Sequence, residues 1–137
     1  MTVPFKLITP VEVRFEGEAD LVIAVGTEGE VGILPRHAPY LTGLRPGVLR
    51  ANVVREGRSE RLELATGEGF LQALPDRVTV LVDVAYDGGQ VDIAESRRER
   101  AEALERQKSA SGDPTAYRRE QAIIDLATAK LTVARAG

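Results

Sequence analysis

Cysteine and tryptophan are absent from this chain of 137 residues, and histidine occurs only once, at His37. Without cysteine the chain can form no disulfide and no zinc-thiolate site, and it has no thiol nucleophile. His37 lies between two prolines in a stiff loop that carries no catalytic motif, so we interpret it as a loop or contact residue. We therefore expect no enzymatic activity and no catalytic residue in this chain.

The sequence also lacks a basic surplus and a long apolar run. Its net charge is −3, so it has no excess of cations with which to neutralise phosphates, and we expect no nucleic-acid partner. The N-terminal segment carries Lys6, Glu12 and Arg14 and is neither a signal peptide nor a membrane span. The acidic residues do not cluster at the spacing of metal ligands, so we expect neither a metal ion nor a cofactor. These features predict a protein kept in the cytoplasm.

Short β-rich runs fill the chain up to Asp87, and turn residues such as Gly17, Gly29 and Pro46-Gly47 separate them. Aromatic residues are only 4% of the chain, so the core must consist of Val, Leu, Ile and Ala. Many short strands at this spacing indicate an antiparallel β-sandwich or barrel. The predicted strands are Phe5–Thr9, Val11–Phe15, Leu21–Val25, Val31–Leu34, Val48–Val54, Arg61–Thr66, Phe70–Leu74 and Val78–Ala85.

After Gln90 the composition changes to Ala, Glu, Arg and Leu, which is typical of helices. Gly112 suits the C-cap region of a first helix, Asp113 suits the N-cap of a second, and Pro114 suits its first position. Because the connection is short, we predict an antiparallel two-helix hairpin. The first helix has a weak apolar stripe of Ala94, Ala101 and Leu104. The second helix should bury Tyr117, Ile124, Ala127, Leu131 and Ala134.

The central segment from Thr27 to Thr42 reads TEGEVGILPRHAPYLT and continues as Leu44–Arg50, LRPGVLR. This stretch closely resembles the signature of the epsilon subunit family of F-type ATP synthases. The opening residues LITPVEVRFEGEAD and the segments Gly67–Leu71 and Val78–Asp83 are also similar to that family. One residue departs from the family pattern, because Arg36 stands where glycine is usual.

The resemblance implies a sandwich of about ten strands in residues 1–87, followed by a regulatory helical hairpin in residues 88–137. It implies a non-catalytic subunit of the central stalk, or rotor, that couples proton-driven rotation to ATP synthesis. The implied partners of the sandwich are the gamma subunit and the ring of c subunits. The hairpin would extend among the alpha and beta catalytic subunits and inhibit ATP hydrolysis. The implied location is peripheral, on the cytoplasmic face of a bacterial plasma membrane, without insertion into the bilayer.

The family resemblance assigns contact roles to four residues of the central motif; the alternative is an ordinary exposed turn for Glu28 and Glu30 and a loop residue held by local hydrogen bonds for His37. The residues that would contact the c ring or gamma are Glu28, Glu30, Arg36 and His37. Glu28 and Glu30 could also imitate the carboxylate pair of a glycosidase, although solvated turn acids explain them better. Arg118 and Arg119 would contact an acidic loop of a catalytic subunit, or else form a solvated helix face.

Some members of the resembled family bind ATP through an aliphatic residue and Asp, then two residues, then Arg-Ala. The matching stretch here begins at Val91-Asp92, but Glu95 replaces the arginine. A carboxylate at that position would repel a triphosphate, so we expect no ATP-binding site. The competing interpretation of the whole chain is a stand-alone β-sandwich that binds a ligand or forms an oligomer through its helices.

Overall fold

The computed structural model describes residues 1–136 and shows nine strands, a 3-10 turn at Gly88–Gln90 and two helices. This confirms the predicted class of a β-sandwich followed by a helical hairpin. The strands are β1 Val3–Ile8, β2 Val13–Gly26, β3 Gly29–Ile33, β4 Tyr40–Leu44, β5 Gly47–Arg55, β6 Arg58–Thr66, β7 Gly69–Leu74, β8 Arg77–Val82 and β9 Ala85–Tyr86. The helices are α1 Ile93–Ser109 and α2 Pro114–Ala136.

The strands are hydrogen-bonded in the order β1-β8-β7-β4-β2-β5-β6-β9, while β3 pairs with β2. β1 also pairs with the first half of β2, which folds the sheet back on itself into a closed sandwich. The β1–β8 pair is parallel, and the remaining pairs are antiparallel. The interior is aliphatic apart from Phe5 and Phe15, whose ring centroids lie 5.5 Å apart.

Three strand predictions were wrong in detail. Val11–Phe15 and Leu21–Val25 belong largely to one strand, β2, because Gly17 does not form a turn but pairs with Phe5 in the ladder. The run Val78–Ala85 divides into β8 and β9, because the Asp83 carboxylate accepts the N–H of Val84 and interrupts the ladder. β4 was not predicted, since its five residues include a glycine and lie between two prolines.

The two helices form the predicted antiparallel hairpin. Asp113 caps α2 as predicted, because its carboxylate accepts the N–H groups of Thr115 and Ala116 at 3.1 and 3.2 Å. α1 ends at Ser109 with Ala110 as its C-cap, so Gly112 lies in the connecting turn and is not the C-cap. In α2, Ile124, Ala127 and Leu131 are buried as predicted, whereas Tyr117 is exposed and Ala134 is half-buried.

The predicted apolar face of α1 was wrong. Ala94, Ala101 and Leu104 are exposed, and the face that meets the rest of the molecule contains Ser96, Ala103 and Gln107. Two of these three buried side chains are polar, and a pattern based on hydrophobicity cannot identify such a face. The hairpin packs on β5 and β6 through a small second core of Ala65, Ala129 and Val133, which Val48, Tyr86 and Val91 border.

Candidate interaction surfaces

The four predicted contact residues of the central motif are distributed along β3 and the loops at its two ends. Glu28 is exposed at the tip of the β2–β3 hairpin, where Gly29 adopts a φ of 128°. Arg36 and His37 lie in the loop that follows Ile33. Glu30 lies within β3, so Glu30 and His37 do not belong to one loop. About 10 Å of strand separates Glu30 from the end of β3.

Glu30 forms an ion pair across the sheet. Its carboxylate lies 2.8 Å from the Arg50 guanidinium, which β5 presents on the far side of β2. Glu30 is exposed, so a partner can reach it, but its charge is already compensated in this structure. Glu30 is therefore not an unpaired carboxylate in this structure.

Arg36 adopts a left-handed backbone conformation, with a φ of 65°. Glycine enters this region without strain, whereas a residue with a Cβ atom is disfavoured there by roughly 1–2 kcal/mol. The loop therefore keeps the backbone shape that a glycine would give, even though arginine occupies the position. The Arg36 side chain is exposed, and no hydrogen bond or ion pair holds it to the rest of residues 1–136.

His37 is tied to its own loop. Its Nδ1 lies 2.8 Å from the carbonyl oxygen of Leu34, which can only accept, so Nδ1 carries the proton. The other ring nitrogen, Nε2, is buried and has no hydrogen-bond partner within the described part of the chain. His37 thus stabilises the loop locally, and the residue is half-buried.

A row of large apolar side chains crosses the outer face of the sheet on β4, β7 and β8. Leu41 is 67% exposed, Phe70 58% and Leu81 48%. Phe70 and Leu81 are directly opposite each other in the β7–β8 ladder, and Leu41 lies diagonally across from Phe70 on β4. We call these three residues the apolar stripe. The stripe was not predicted from the sequence, although Phe70 and Leu71 are adjacent apolar residues of one strand and such neighbours face opposite sides of a sheet.

Polar side chains hold α1 against α2. Arg106 Nε lies 2.7 and 3.0 Å from the two carboxylate oxygens of Glu120, and the Gln107 amide donates to the Gln121 side chain at 2.8 Å. Near the open end of the hairpin, Lys130 Nζ lies 3.7 Å from Glu99. The interface therefore contains hydrogen bonds and ion pairs as well as buried apolar side chains such as Ala103 and Ile124.

Arg118 and Arg119 are exposed on the first turns of α2. They border a cleft of about 420 Å³ between that helix and Glu68 of the sandwich. Neither guanidinium takes part in an ion pair with another of residues 1–136. Both charges are therefore available to a partner while the hairpin is folded.

The residues of the incomplete ATP motif border a cavity of about 320 Å³ between the two helices and residues 86–91, which connect the sandwich to the hairpin. Asp92 caps α1 by accepting the Glu95 N–H at 3.0 Å, so its carboxylate serves the helix. Glu95 and Glu99 add two acidic side chains to the lining. Lys130 also lines the cavity, but it is paired with Glu99 and lies over the Tyr86 ring. The charge around this cavity is unfavourable for a triphosphate.

No helix within residues 1–136 is both long enough and apolar enough to cross a membrane. The sandwich corresponds to a known class of domain: residues 2–88 match the family described as the ATP synthase delta/epsilon chain, beta-sandwich domain. Similarity also extends beyond that domain. The ATP synthase epsilon chain of Syntrophobacter fumaroxidans is 36% identical over 96% of this chain and 95% of its own length. That of Halorhodospira halophila is 39% identical, over 95% and 90%. The chain belongs to the ATP synthase epsilon-chain family.

Solved structures show the same fold at low sequence identity. A chain in the cryo-EM structure of the Euglena gracilis mitochondrial ATP synthase, OSCP/F1/c-ring in rotational state 1, aligns with a TM-score of 0.78 and 18% identity, over 98% of this chain and 81% of that one. A chain of the Tetrahymena thermophila mitochondrial ATP synthase, central stalk/c-ring, aligns with a TM-score of 0.62 and 16% identity, over 95% and 97%. At these identities the likeness establishes the fold alone.

Proposed function

We propose that this protein is a non-catalytic subunit of the central stalk of an F-type ATP synthase. In this role it rotates with the gamma subunit and the c ring and couples proton flow to ATP synthesis. The observation that carries the proposal is the similarity to ATP synthase epsilon chains over nearly the whole length of both sequences. The quoted epsilon-chain relatives are bacterial, so the proposed location is peripheral, on the cytoplasmic face of the plasma membrane.

The apolar stripe supports docking of the sandwich on gamma. A large apolar group left in water gains free energy when a partner covers it, at about 25 cal/mol per Å² of apolar surface. Leu41, Phe70 and Leu81 lie on the β4–β7–β8 face, whereas the hairpin covers β5 and β6. The stripe can therefore be covered by another subunit without displacing the hairpin. A permanent partner such as gamma suits an apolar contact better than a transient one does.

Glu28, Glu30, Arg36 and His37 are the proposed polar contacts with the c ring and with the adjoining part of gamma. Glu28 and Arg36 are exposed and lack ion-pair partners among residues 1–136, so they can bond to polar loops. His37 would act by shaping its loop, because its Nδ1–H is bonded to Leu34. Replacing Glu30 and His37 together with alanine should loosen the stalk from the ring.

The helical hairpin is proposed to inhibit ATP hydrolysis when it extends between the alpha and beta subunits. The polar contacts between α1 and α2 support this role, because charged and amide side chains can exchange their partners for water at modest cost. Arg118 and Arg119 would then meet acidic groups of a catalytic subunit.

Reconstitution with purified gamma tests the proposal. The chain should form a stoichiometric complex with gamma that survives gel filtration. Glu30→Ala/His37→Ala should keep the melting temperature of the isolated chain and weaken retention on c rings. Absence of any complex with gamma would contradict the stalk assignment, and a large drop in melting temperature would show that Glu30 and His37 are structural.

A further inference from the structure

The linker between the sandwich and the hairpin is fastened to the sandwich by Arg14. The guanidinium of this mostly buried residue donates to the Ala85 carbonyl at 2.9 Å and to the Gln90 side chain at 2.6 Å. Its Nη2 also lies 3.6 Å from the Asp87 carboxylate. Backbone pairing of β9 with β6 fixes the same segment from the other side. Residues 85–90 are thus held by the sandwich independently of the helices.

Within this segment the 3-10 turn closes on itself. The Asp87 carboxylate accepts the N–H groups of Gly89 and Gln90 at 2.9 and 3.2 Å, and the Gln90 side chain accepts the Asp87 N–H at 3.0 Å. This reciprocal capping satisfies donors that the turn would otherwise leave free. The turn therefore keeps its shape without help from α2.

The last part of α2 lies directly against this turn at Gly88. A Cβ atom built on Gly88 would be 2.5 Å from the carbonyl oxygen of Val133 and 3.3 Å from its carbonyl carbon. Gly88 does not adopt a positive φ, so the backbone of the turn itself does not require glycine. The position excludes a side chain only because α2 is docked there.

We infer that residues 85–90 form a fixed seat for the C-terminal part of α2, and that Gly88 determines how stably the hairpin docks. The seat would stay with the sandwich when the hairpin leaves, and the chain would bend after Gln90, at Val91 and Asp92. This inference deepens the proposed regulatory role of the hairpin and rests on its ability to undock.

Hydrogen exchange of the isolated, full-length chain tests the seat, because it reads the helices and the strands separately. Gly88→Ala places a methyl group against a backbone carbonyl, which cannot rotate away as a side chain could. Such overpacking should speed exchange of the amides in residues 93–136 by about ten- to hundredfold. Exchange in residues 1–82 should remain unchanged.

Gly89→Ala is the matched control, since a Cβ at that neighbouring position meets only the Asp87 carboxylate at 3.3 Å. The inference is supported if Gly88→Ala loosens the helices and Gly89→Ala does not. It is overturned if both variants exchange like the wild type, or if Gly88→Ala loosens the strands as much as the helices. If the helices loosen but ATP hydrolysis by the assembled complex is unchanged, the seat stands and the proposed inhibitory role of the hairpin fails.

Discussion

Arg106 and Glu120 join the two helices through a single guanidinium nitrogen that lies 2.7 and 3.0 Å from both carboxylate oxygens. The Glu120 side chain is only 11% exposed, whereas Arg106 is half-exposed. A buried carboxylate that loses its cation keeps its desolvation penalty without compensation. The pair is therefore a sensitive point in the stability of the hairpin.

We predict that Arg106→Ala destabilises the folded hairpin by about 1–3 kcal/mol, because it strands the Glu120 carboxylate. The measurement is the free energy of helix opening from hydrogen exchange. Arg98→Ala is the control, since within residues 1–136 Arg98 pairs only with exposed acids on its own helix and should change stability by less than about 1 kcal/mol. Equal effects of the two substitutions would mean that the Arg106–Glu120 pair stabilises the hairpin no more than an exposed ion pair does.

Arg36→Gly should stabilise the sandwich by up to about 1 kcal/mol, because glycine removes the cost of a Cβ at a φ of 65°. The gain is smaller than the strain itself, since glycine also increases the entropy of the unfolded chain. Chemical denaturation measures the change. Arg58→Gly, at an exposed strand position without positive φ, should lower stability instead. A loss of stability in Arg36→Gly would show that the loop has adapted to arginine.

Phe70→Ser should weaken binding to gamma while leaving the melting temperature of the isolated chain nearly unchanged, because Phe70 is mostly exposed. Calorimetric titration of gamma with the variant gives the affinity. Leu71→Ala is the contrasting variant: this neighbouring side chain is fully buried, so its truncation should cost about 2–5 kcal/mol of stability. Unchanged affinity for Phe70→Ser would exclude the apolar stripe from the gamma contact.

The isolated chain should bind ATP no more tightly than millimolar, because Glu95 faces the site where the motif needs a cation. Exchanging repulsion for attraction there is worth several kcal/mol, or more than about a hundredfold in affinity. Glu95→Arg should therefore raise the affinity in a calorimetric titration, and Glu105→Arg, outside the cavity, should not. Micromolar binding by the unmodified chain would contradict this prediction.

Local patterns in the sequence were sufficient for the fold class and for most strands. These patterns were correct where a residue type favours one structural position, as Asp113 and Pro114 do at the start of α2. They failed at Gly17, which lies within a strand and beneath the Phe15 ring. The sequence alone does not distinguish such a glycine from one in a turn. They also failed in α1, where partners on α2, such as Gln121 for Gln107, decide which polar residues are buried.

The sequence identified the candidate contact residues as members of a motif, but it did not give their conformation or their partners. The sequence indicated that Arg36 occupies a glycine position, but only the φ of 65° shows that the backbone kept its shape. The Glu30–Arg50 pair and the Arg14 clamp on the linker join residues 20 and 76 positions apart, respectively. Such contacts depend on strand register and folding back of the chain, which no local pattern contains.

The central claim is that the folded-back hairpin of this stalk subunit is a separable module that inhibits ATP hydrolysis. ATP hydrolysis by the assembled complex tests this claim most directly. The comparison is between the full chain and a chain ending at Val91, which keeps the Arg14 contacts to Ala85, Asp87 and Gln90. The account predicts that the shortened chain still assembles with gamma and the c ring, supports ATP synthesis, and permits faster ATP hydrolysis. Equal hydrolysis rates, or failure of the shortened chain to bind gamma, would contradict it.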